Sequence, residues 1–138
     1  MTSSKLLVCV LSYNAENFIR DTLERIPPSL GQFDTHVLVI DDASTDRGYE
    51  IACEIRDAGF IFPLTVLKNS TNQGYGGNAK LGILYAINEG FDAVALTHGD
   101  GQYRLVIEAR PRSVLSEILA QATKDAKHNS SRTDKVST

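Results

Sequence analysis

The sequence predicts an α/β fold: a mostly parallel β-sheet with helices on both of its faces. Short apolar runs alternate with segments of helical periodicity in the order βαβαβαβ, and that order is typical of parallel strands joined by helices. The first run, Leu6–Leu11, is apolar at every position, as expected for a strand that is covered on both faces. A chain of 138 residues has the length of one domain.

Hydrophobic periodicity, together with the residues that typically begin and end helices, defines seven elements. We expect, in order, strand 6–11, helix 15–26, strand 36–40, helix 47–58, strand 64–67, helix 77–89 and strand 93–97. Asn14 suits the N-cap of the first helix, and Pro27-Pro28 stops it. Gly59 and Gly90 are expected to end the second and third helices, since glycine commonly follows the last helical residue.

The composition argues against several functions and locations. A formal net charge of −3 argues against a general nucleic-acid binder, whose surface is usually basic. No apolar run approaches the roughly 20 residues of a membrane span, and no signal peptide is recognised. Cys9 and Cys53 are too few for a disulfide framework and favour buried free thiols in a reducing compartment. We therefore expect a cytoplasmic location, with peripheral membrane attachment as an option.

The charge balance changes sign near residue 103. Residues 1–103 hold seven Lys/Arg and 13 Asp/Glu, whereas residues 104–138 hold seven and four. The apolar positions of residues 112–127 predict one amphipathic helix in the second part. We predict one domain at 5–103, an atypical tail with one helix at 104–127, and a disordered polar tail at 128–138.

Polar segments follow all four predicted strands. They are Ser12-Tyr13-Asn14, Asp41-Asp42-Ala43-Ser44, Asn72-Gln73-Gly74-Tyr75-Gly76-Gly77 and His98-Gly99-Asp100-Gly101-Gln102-Tyr103. Ligands of open α/β sheets bind at the carboxyl ends of the strands, so these segments are expected to form one site. Their oxygen atoms suit a hard cation that bridges two phosphates. The pattern therefore indicates a nucleotide-sugar site.

The acids after the second strand have two interpretations. Asp41 or Asp42 can accept a hydrogen bond from a ribose hydroxyl or a base N–H, or Asp42 or Ser44 can simply cap the next helix. Asp46 is expected at the start of that helix. Tyr13 and Asn14, after the first strand, can hold a base by stacking and hydrogen bonding, and Asn14 can equally be a plain N-cap.

The glycine cluster favours an anion over a dinucleotide. Gly74–Ala79 fits the form G-x-G-x-x-A, but it follows the third strand after six polar residues, whereas a dinucleotide fingerprint follows the first strand directly. The backbone at Gly74 can still approach a diphosphate at a helix start. Lys80 can add a positive charge there or be an ordinary solvated lysine.

The segment after the fourth strand holds the candidate metal ligands. Asp100 is the strongest of them, because Mg²⁺-like cations prefer carboxylate oxygen. His98 can bind a metal or be a structural residue that forms hydrogen bonds, and Gln102 can complete a ligand set through its carbonyl oxygen.

These segments, in this order, resemble the family 2 glycosyltransferases of the GT-A fold, and most of all the dolichyl- or polyprenyl-phosphate sugar synthase branch. The resemblance covers about residues 5–103. It implies a Rossmann-like sheet that binds a nucleotide-diphosphate sugar with Mg²⁺ or Mn²⁺ as cofactor. The implied reaction transfers the sugar to a polyprenyl-phosphate or similar acceptor.

The resemblance also implies roles for individual residues. Tyr13 and Asp41 or Asp42 would contact the nucleoside, Gly74 lies in the loop beside the nucleotide, and Lys80 occupies the basic position of that loop.

The metal motif departs from the family at one position. Asp100 matches the last acid of the Asp-x-Asp motif and Gln102 the amide two residues later, but His98 stands in place of the first acid. The cation would then be held by Asp100, Gln102 and diphosphate oxygens, with or without His98. No residue is assigned as catalytic base.

The sequence after Tyr103 does not resemble the acceptor half of the family. We therefore expect a chain truncated at its C-terminal end, which holds the donor-binding half. The alternative to a glycosyltransferase is a non-catalytic fragment that binds a nucleotide.

Overall fold

The computed structural model describes residues 4–99 and, through their backbone, residues 104–108. In this part the chain forms one five-stranded sheet of order β3-β2-β1-β4-β5. The elements are β1 (Lys5–Ser12), α1 (Ile19–Glu24), a 3₁₀ helix (Pro28–Gln32), β2 (Asp34–Asp41), α2 (Gly48–Ala58), β3 (Leu64–Lys68), α3 (Gly74–Asn88), β4 (Ala93–His98) and β5 (Arg104–Glu108).

The first four strands are parallel, as the sequence predicted. β1 lies at the centre and pairs with both β2 and β4, and β2 pairs with β3. The sequence prediction ended the sheet at the fourth strand. The structure adds β5, which runs antiparallel to β4 with Thr97 opposite Arg104 and Ala93 opposite Glu108. The predicted helix 112–127 and tail 128–138 lie outside the described residues.

The continuous apolar run of β1 is explained by two cores, one on each face of the sheet. Leu6 and Val8 belong to the core on the face covered by α1 and α2. Leu7 and Cys9 belong to the core on the opposite face, under α3. Each fully buried Leu or Val contributes about 1.5–3 kcal/mol relative to exposure. The prediction of helices on both faces is confirmed.

Cys9 is a small apolar residue of the core, as the sequence predicted. Its side chain is completely buried, and burial raises the pKa of its thiol to about 12. α3 lies so close to it that a Cβ at Gly82 would come within 2.7 Å of the Cys9 sulfur. Glycine at position 82 therefore permits α3 to rest directly on β1.

The predicted helix ends are partly right. Gly59 and Gly90 follow α2 and α3 with positive φ values of 105° and 76°, a conformation that glycine adopts without strain. The prediction of Asn14 as N-cap of the first helix is wrong. α1 begins only at Ile19, after Phe18, because Asn14 adopts a left-handed φ of 49° and its side chain bonds to another loop.

No helix within residues 4–99 and 104–108 is long and apolar enough to cross a membrane.

Candidate functional site

A cavity of about 410 Å³ opens at the carboxyl ends of β1, β2 and β4. Its lining residues come from all four predicted polar segments and from the start of α1: Leu11, Ser12, Tyr13, Asn14, Ala15, Phe18, Asp42, Asn72, Gly74, Tyr75, Asn78, His98 and Gly99. The loops that follow the strands therefore meet at one site, as expected for an open parallel sheet.

The predicted site residues divide into three groups. Four of them line the cavity: Tyr13, Asp42, Gly74 and His98. Two others, Asp41 and Lys80, are not among its lining residues, since Asp41 is fully buried and Lys80 is exposed on α3. The remaining two, Asp100 and Gln102, lie outside the described residues.

Asp42 ties the loop after β3 to the end of β2. One of its carboxylate oxygens accepts hydrogen bonds from the Asn69 side-chain amide and the Gln73 backbone N–H, both at 2.8 Å. The other accepts from the Gly74 N–H at 3.0 Å. Because Gly74 begins α3, this carboxylate satisfies helix N–H groups and places a negative charge at the positive end of the helix.

Asn78 extends this connection into the interior. Its side chain is 2% exposed. Its amide nitrogen donates to the carbonyl oxygen of Ile40 at 3.1 Å, and its Oδ1 accepts from Asn69 at 3.0 Å. Asn78 lies in the glycine-rich segment Gly74–Ala79, but the sequence pattern predicted no role for it. Asn78 follows Gly74 by four residues, about one helical turn. This spacing places the two residues on the same face of α3 and could have predicted the contact.

Asp41 is the last residue of β2 and holds the turn that follows the strand. Its side chain is fully buried and accepts from the Ser44 N–H at 2.9 Å and from the Ser44 hydroxyl at 2.7 Å. These bonds close a tight turn in which Ala43 has a φ of 61°. The carboxylate therefore holds a backbone conformation that costs a non-glycine residue about 1–2 kcal/mol.

The loop after β1 is fastened to the loop after β2. The Asn14 N–H donates to the Ser44 hydroxyl and the Thr45 N–H donates to Asn14 Oδ1, both at 2.9 Å. Asp46 accepts from the Glu16 N–H at 3.0 Å and from the Gly48 N–H at 2.9 Å. The prediction that Asp46 lies at the start of the second helix is thus confirmed.

Aromatic side chains form the exposed rim of the cavity. Tyr13 is 54% exposed and Phe18 is 50% exposed, so both rings are accessible where they line the cavity. Tyr75 stacks on the imidazole of His98, with ring centroids 4.7 Å apart and planes 14° from parallel. The sequence predicted a role for Tyr13 but none for Phe18 or Tyr75. Phe18 falls within the predicted helix 15–26, but α1 begins only at Ile19 and the Phe18 side chain is half-exposed.

The residue types that follow β4 in the sequence are of the kind that a hard divalent cation takes as ligands. His98 reaches the cavity wall at the last position of the strand, and two residues later the sequence has Asp100. A carboxylate and an amide oxygen at positions 100 and 102 are ligands that Mg²⁺ and Mn²⁺ accept, with diphosphate oxygens filling other positions. Within the described ranges, no group of three or more His, Cys, Asp or Glu side chains could hold a metal by itself.

Comparison with known proteins gives a family match. The family model described as Glycosyl transferase family 2 matches residues 7–105. No curated protein matches the chain.

Solved structures share the fold. The structure of S. aureus TarS has a TM-score of 0.52 and 26% identity, covering 70% of this chain and 16% of TarS. TarS 1–349 in complex with UDP-GlcNAc has a TM-score of 0.51 and 25% identity, covering 70% of this chain and 26% of that one.

A mannosyltransferase from Pyrobaculum calidifontis, in complex with GDP-Man and Mn²⁺, has a TM-score of 0.55 and 19% identity, covering 72% of this chain and 28% of that one. At this identity the likeness concerns the fold alone, which is the Rossmann-like GT-A fold. The chain spans 16–28% of the length of these three structures.

Proposed function

The chain belongs to glycosyl transferase family 2, and on that premise we propose that it binds a nucleoside-diphosphate sugar together with Mg²⁺ or Mn²⁺ in the cavity at the strand ends. The whole protein would transfer the sugar to an acceptor. The observation that carries the proposal is the cavity itself, where an exposed aromatic ring, a carboxylate and the end of β4 meet at the edge where parallel sheets bind ligands.

The nucleoside is expected near Tyr13 and Asp42. The half-exposed ring of Tyr13 offers a face on which a base can stack. Asp42 Oδ2 accepts one backbone N–H from Gly74, so this oxygen retains a lone pair for a ribose hydroxyl. Asp41 would act indirectly, by holding the turn that places Asp42.

The diphosphate is expected toward the end of β4. The N–H of Gly74 already donates to Asp42 and to Asn72, and the Asp42 charge offsets the positive end of α3. The start of α3 therefore stabilises a bound anion less than a helix N-terminus without a carboxylate would. Gly74 would serve as part of the cavity wall, and Lys80 would add a longer-range positive charge.

A bound Mg²⁺ or Mn²⁺ would neutralise charge on the departing diphosphate. Asp100 and Gln102 would hold it, with His98 as a further candidate ligand. The finer proposal is a polyprenyl-phosphate acceptor, which the sequence resemblance supports. A phosphate oxygen is already anionic at neutral pH, so this acceptor requires no protein base. A lipid-linked acceptor would also bring the protein to a membrane surface.

Calorimetric titration with UDP and GDP, each with Mn²⁺ and then with excess chelator, tests donor binding. We expect one of the two nucleotides to bind with Mn²⁺ and to lose about tenfold or more in affinity after chelation. Equal affinity after chelation would refute the metal role, and no binding of either nucleotide would refute the donor site.

Transfer of radiolabelled sugar from UDP- and GDP-sugars into polyprenyl phosphate, against a heat-killed control, tests the acceptor. Label in the lipid fraction that requires Mn²⁺ would support the finer proposal. Binding without transfer would favour the alternative of a nucleotide-binding module.

A further inference from the structure

The backbone of Tyr13 is held on both sides by the residues at the end of β2. The carbonyl oxygen of Ser12, in the peptide group before Tyr13, accepts from the Asp42 N–H at 2.8 Å. The N–H of Asn14, in the peptide group after Tyr13, donates to the hydroxyl oxygen of Ser44 at 2.9 Å. Because each peptide group is planar, these two bonds together restrict the φ and ψ angles of Tyr13.

The Ser44 hydroxyl is oriented for this contact. It donates its proton to a carboxylate oxygen of Asp41 at 2.7 Å, so its oxygen meets the Asn14 N–H as an acceptor. Asp41 is completely buried, and Ser44 is 8% exposed. Asparagine at position 41 would still offer an oxygen to this hydroxyl, so the contact requires the hydroxyl of Ser44 rather than the charge of Asp41.

Asn14 is fixed to the same loop through its side chain. Its Oδ1 accepts from the Thr45 N–H at 2.9 Å, while its backbone has a left-handed φ of 49° that asparagine tolerates better than most residues. The residue that follows Tyr13 is therefore bonded to two consecutive residues of the loop after β2, Ser44 and Thr45.

The ring of Tyr13 depends on this backbone support. The side chain is 54% exposed, so packing against the protein restrains it only in part. The rotamers open to a side chain depend on its backbone angles, so a change in φ or ψ at Tyr13 also changes where its ring lies. The hydrogen bonds to the two flanking peptide groups thus help to set the position of the ring at the cavity rim.

We propose that Ser44 is a positioning residue for the Tyr13 ring, an inference that rests on the proposed stacking of the nucleotide base on that ring. Ser44 does not line the cavity, so it would act on the ligand through the Asn14 N–H and the backbone of Tyr13. A ring that is held in place before the ligand arrives loses less conformational freedom on binding. Removal of the Ser44 hydroxyl should therefore weaken nucleotide binding.

Thr35 provides a matched control. It is 4% exposed, and its hydroxyl donates to the carbonyl oxygen of Leu30 at 2.6 Å. It lies near the amino end of β2, whereas the cavity opens at the carboxyl ends of the strands. Thr35→Val therefore removes a hydroxyl of similar burial far from the site.

The test is a double-mutant cycle between Ser44→Ala and Tyr13→Ala. The affinities of the full chain and of each variant for UDP and GDP are measured by calorimetry with saturating Mn²⁺. We expect Tyr13→Ala to lose about tenfold through loss of the stacking surface, and Ser44→Ala about fivefold. In the Tyr13→Ala background, Ser44→Ala should change the affinity by less than about twofold, because the ring that it positions is already absent.

Three further variants separate the hydroxyl from general destabilisation. Ser44→Thr keeps the hydroxyl and should stay within about twofold, as should Thr35→Val. Ser44→Cys offers only a weak acceptor and should lose about threefold. Denaturant unfolding checks that each variant folds, and Ser44→Cys takes the place of Ser44→Ala in the cycle if the alanine variant does not fold.

The outcomes distinguish the two proposals. An unaltered chain that binds neither nucleotide would refute the proposed donor site. A Tyr13→Ala variant that binds as tightly as the unaltered chain would refute the base stacking, and the positioning role with it. If Ser44→Ala leaves the affinity unchanged, or costs about fivefold in the Tyr13→Ala background as well, the positioning role alone is refuted. Losses of the same size in Ser44→Ala and in Ser44→Thr or Thr35→Val would also refute it, since they would not depend on the Ser44 hydroxyl.

Discussion

The ends of β2 and β4 both border the cavity, but their backbones are held in opposite ways. At the end of β2, two buried carboxylates, Asp41 and Asp42, accept hydrogen bonds from the protein itself. At the end of β4, Gly99 has no side chain, and Thr22 donates a hydrogen bond to its backbone. Acids at a strand end can therefore stabilise the loops of a site without contacting the ligand. At the end of β4, a glycine precedes the acid that we expect to bind the metal ion.

The β2 end carries its buried charges because it supplies donors to them. A buried carboxylate is tolerated only when several N–H or O–H groups point at it. Asp42 meets three donors on the loop before α3, and Asp41 meets the two donors of Ser44. These bonds join the walls of the cavity, so the shape of the site depends on them before any ligand binds.

The largest effect is expected from Asp42→Ala. It removes the charged acceptor of three hydrogen bonds and leaves the Gln73 N–H without its acceptor, while the Gly74 N–H keeps Asn72 and the Asn69 amide keeps Asn78. We expect a loss of about 3 kcal/mol in the free energy of unfolding together with loss of nucleotide binding. Denaturant unfolding measures the first effect and calorimetry the second. Asp57→Ala is the control, since its carboxylate is exposed and should change stability by less than about 0.5 kcal/mol. A similar small change for Asp42→Ala would mean that this carboxylate does not organise the cavity.

The next effect separates the two proposed metal ligands, Asp100 and His98. We expect Asp100→Asn to remove about tenfold or more of the Mn²⁺-dependent nucleotide affinity, because Mn²⁺ and Mg²⁺ favour a charged oxygen ligand. His98→Ala should cost less, about threefold, through loss of its stacking with Tyr75. Calorimetry with and without Mn²⁺ measures both. A larger loss for His98→Ala would point to a site for a softer transition metal.

A smaller and purely structural effect is expected from Asp41→Asn. The Ser44 contacts lose their charged acceptor, and the free energy of unfolding should fall by about 2 kcal/mol. Because Asp41 is fully buried away from the cavity, the nucleotide affinity of the folded variant should stay within about twofold. A large loss of affinity without loss of stability would instead place Asp41 in contact with the nucleoside.

The parts of this molecule that the sequence predicts are those specified by nearby residues. The apolar run of β1 predicts burial on both faces, and Gly59 predicts the end of α2, because each signal lies within the element it defines. The donors to Asp42 lie 27–32 residues away, so no local pattern could separate its scaffold role from ligand binding. Asn14 fails as a helix cap for the same reason, since its partner Thr45 is 31 residues away.

The smallest effect is expected from Lys80→Ala. This variant tests whether the positive charge on α3 contributes to binding of the diphosphate. The predicted helix 77–89 puts Lys80 in its first turn, but α3 begins at Gly74, so Lys80 lies nearly two turns into the helix, where its side chain is exposed and does not line the cavity. Charges in solvent are screened over about 8 Å at physiological ionic strength, and exposed pairs contribute about 0.2–1 kcal/mol. We therefore expect less than about threefold loss of nucleotide affinity at about 150 mM salt, with a larger loss at low salt. Arg20→Ala, which removes another exposed cation, should change the affinity even less. A loss of about tenfold that persists at high salt would show direct contact between Lys80 and the diphosphate, and would move the anion site from the end of β4 to the start of α3.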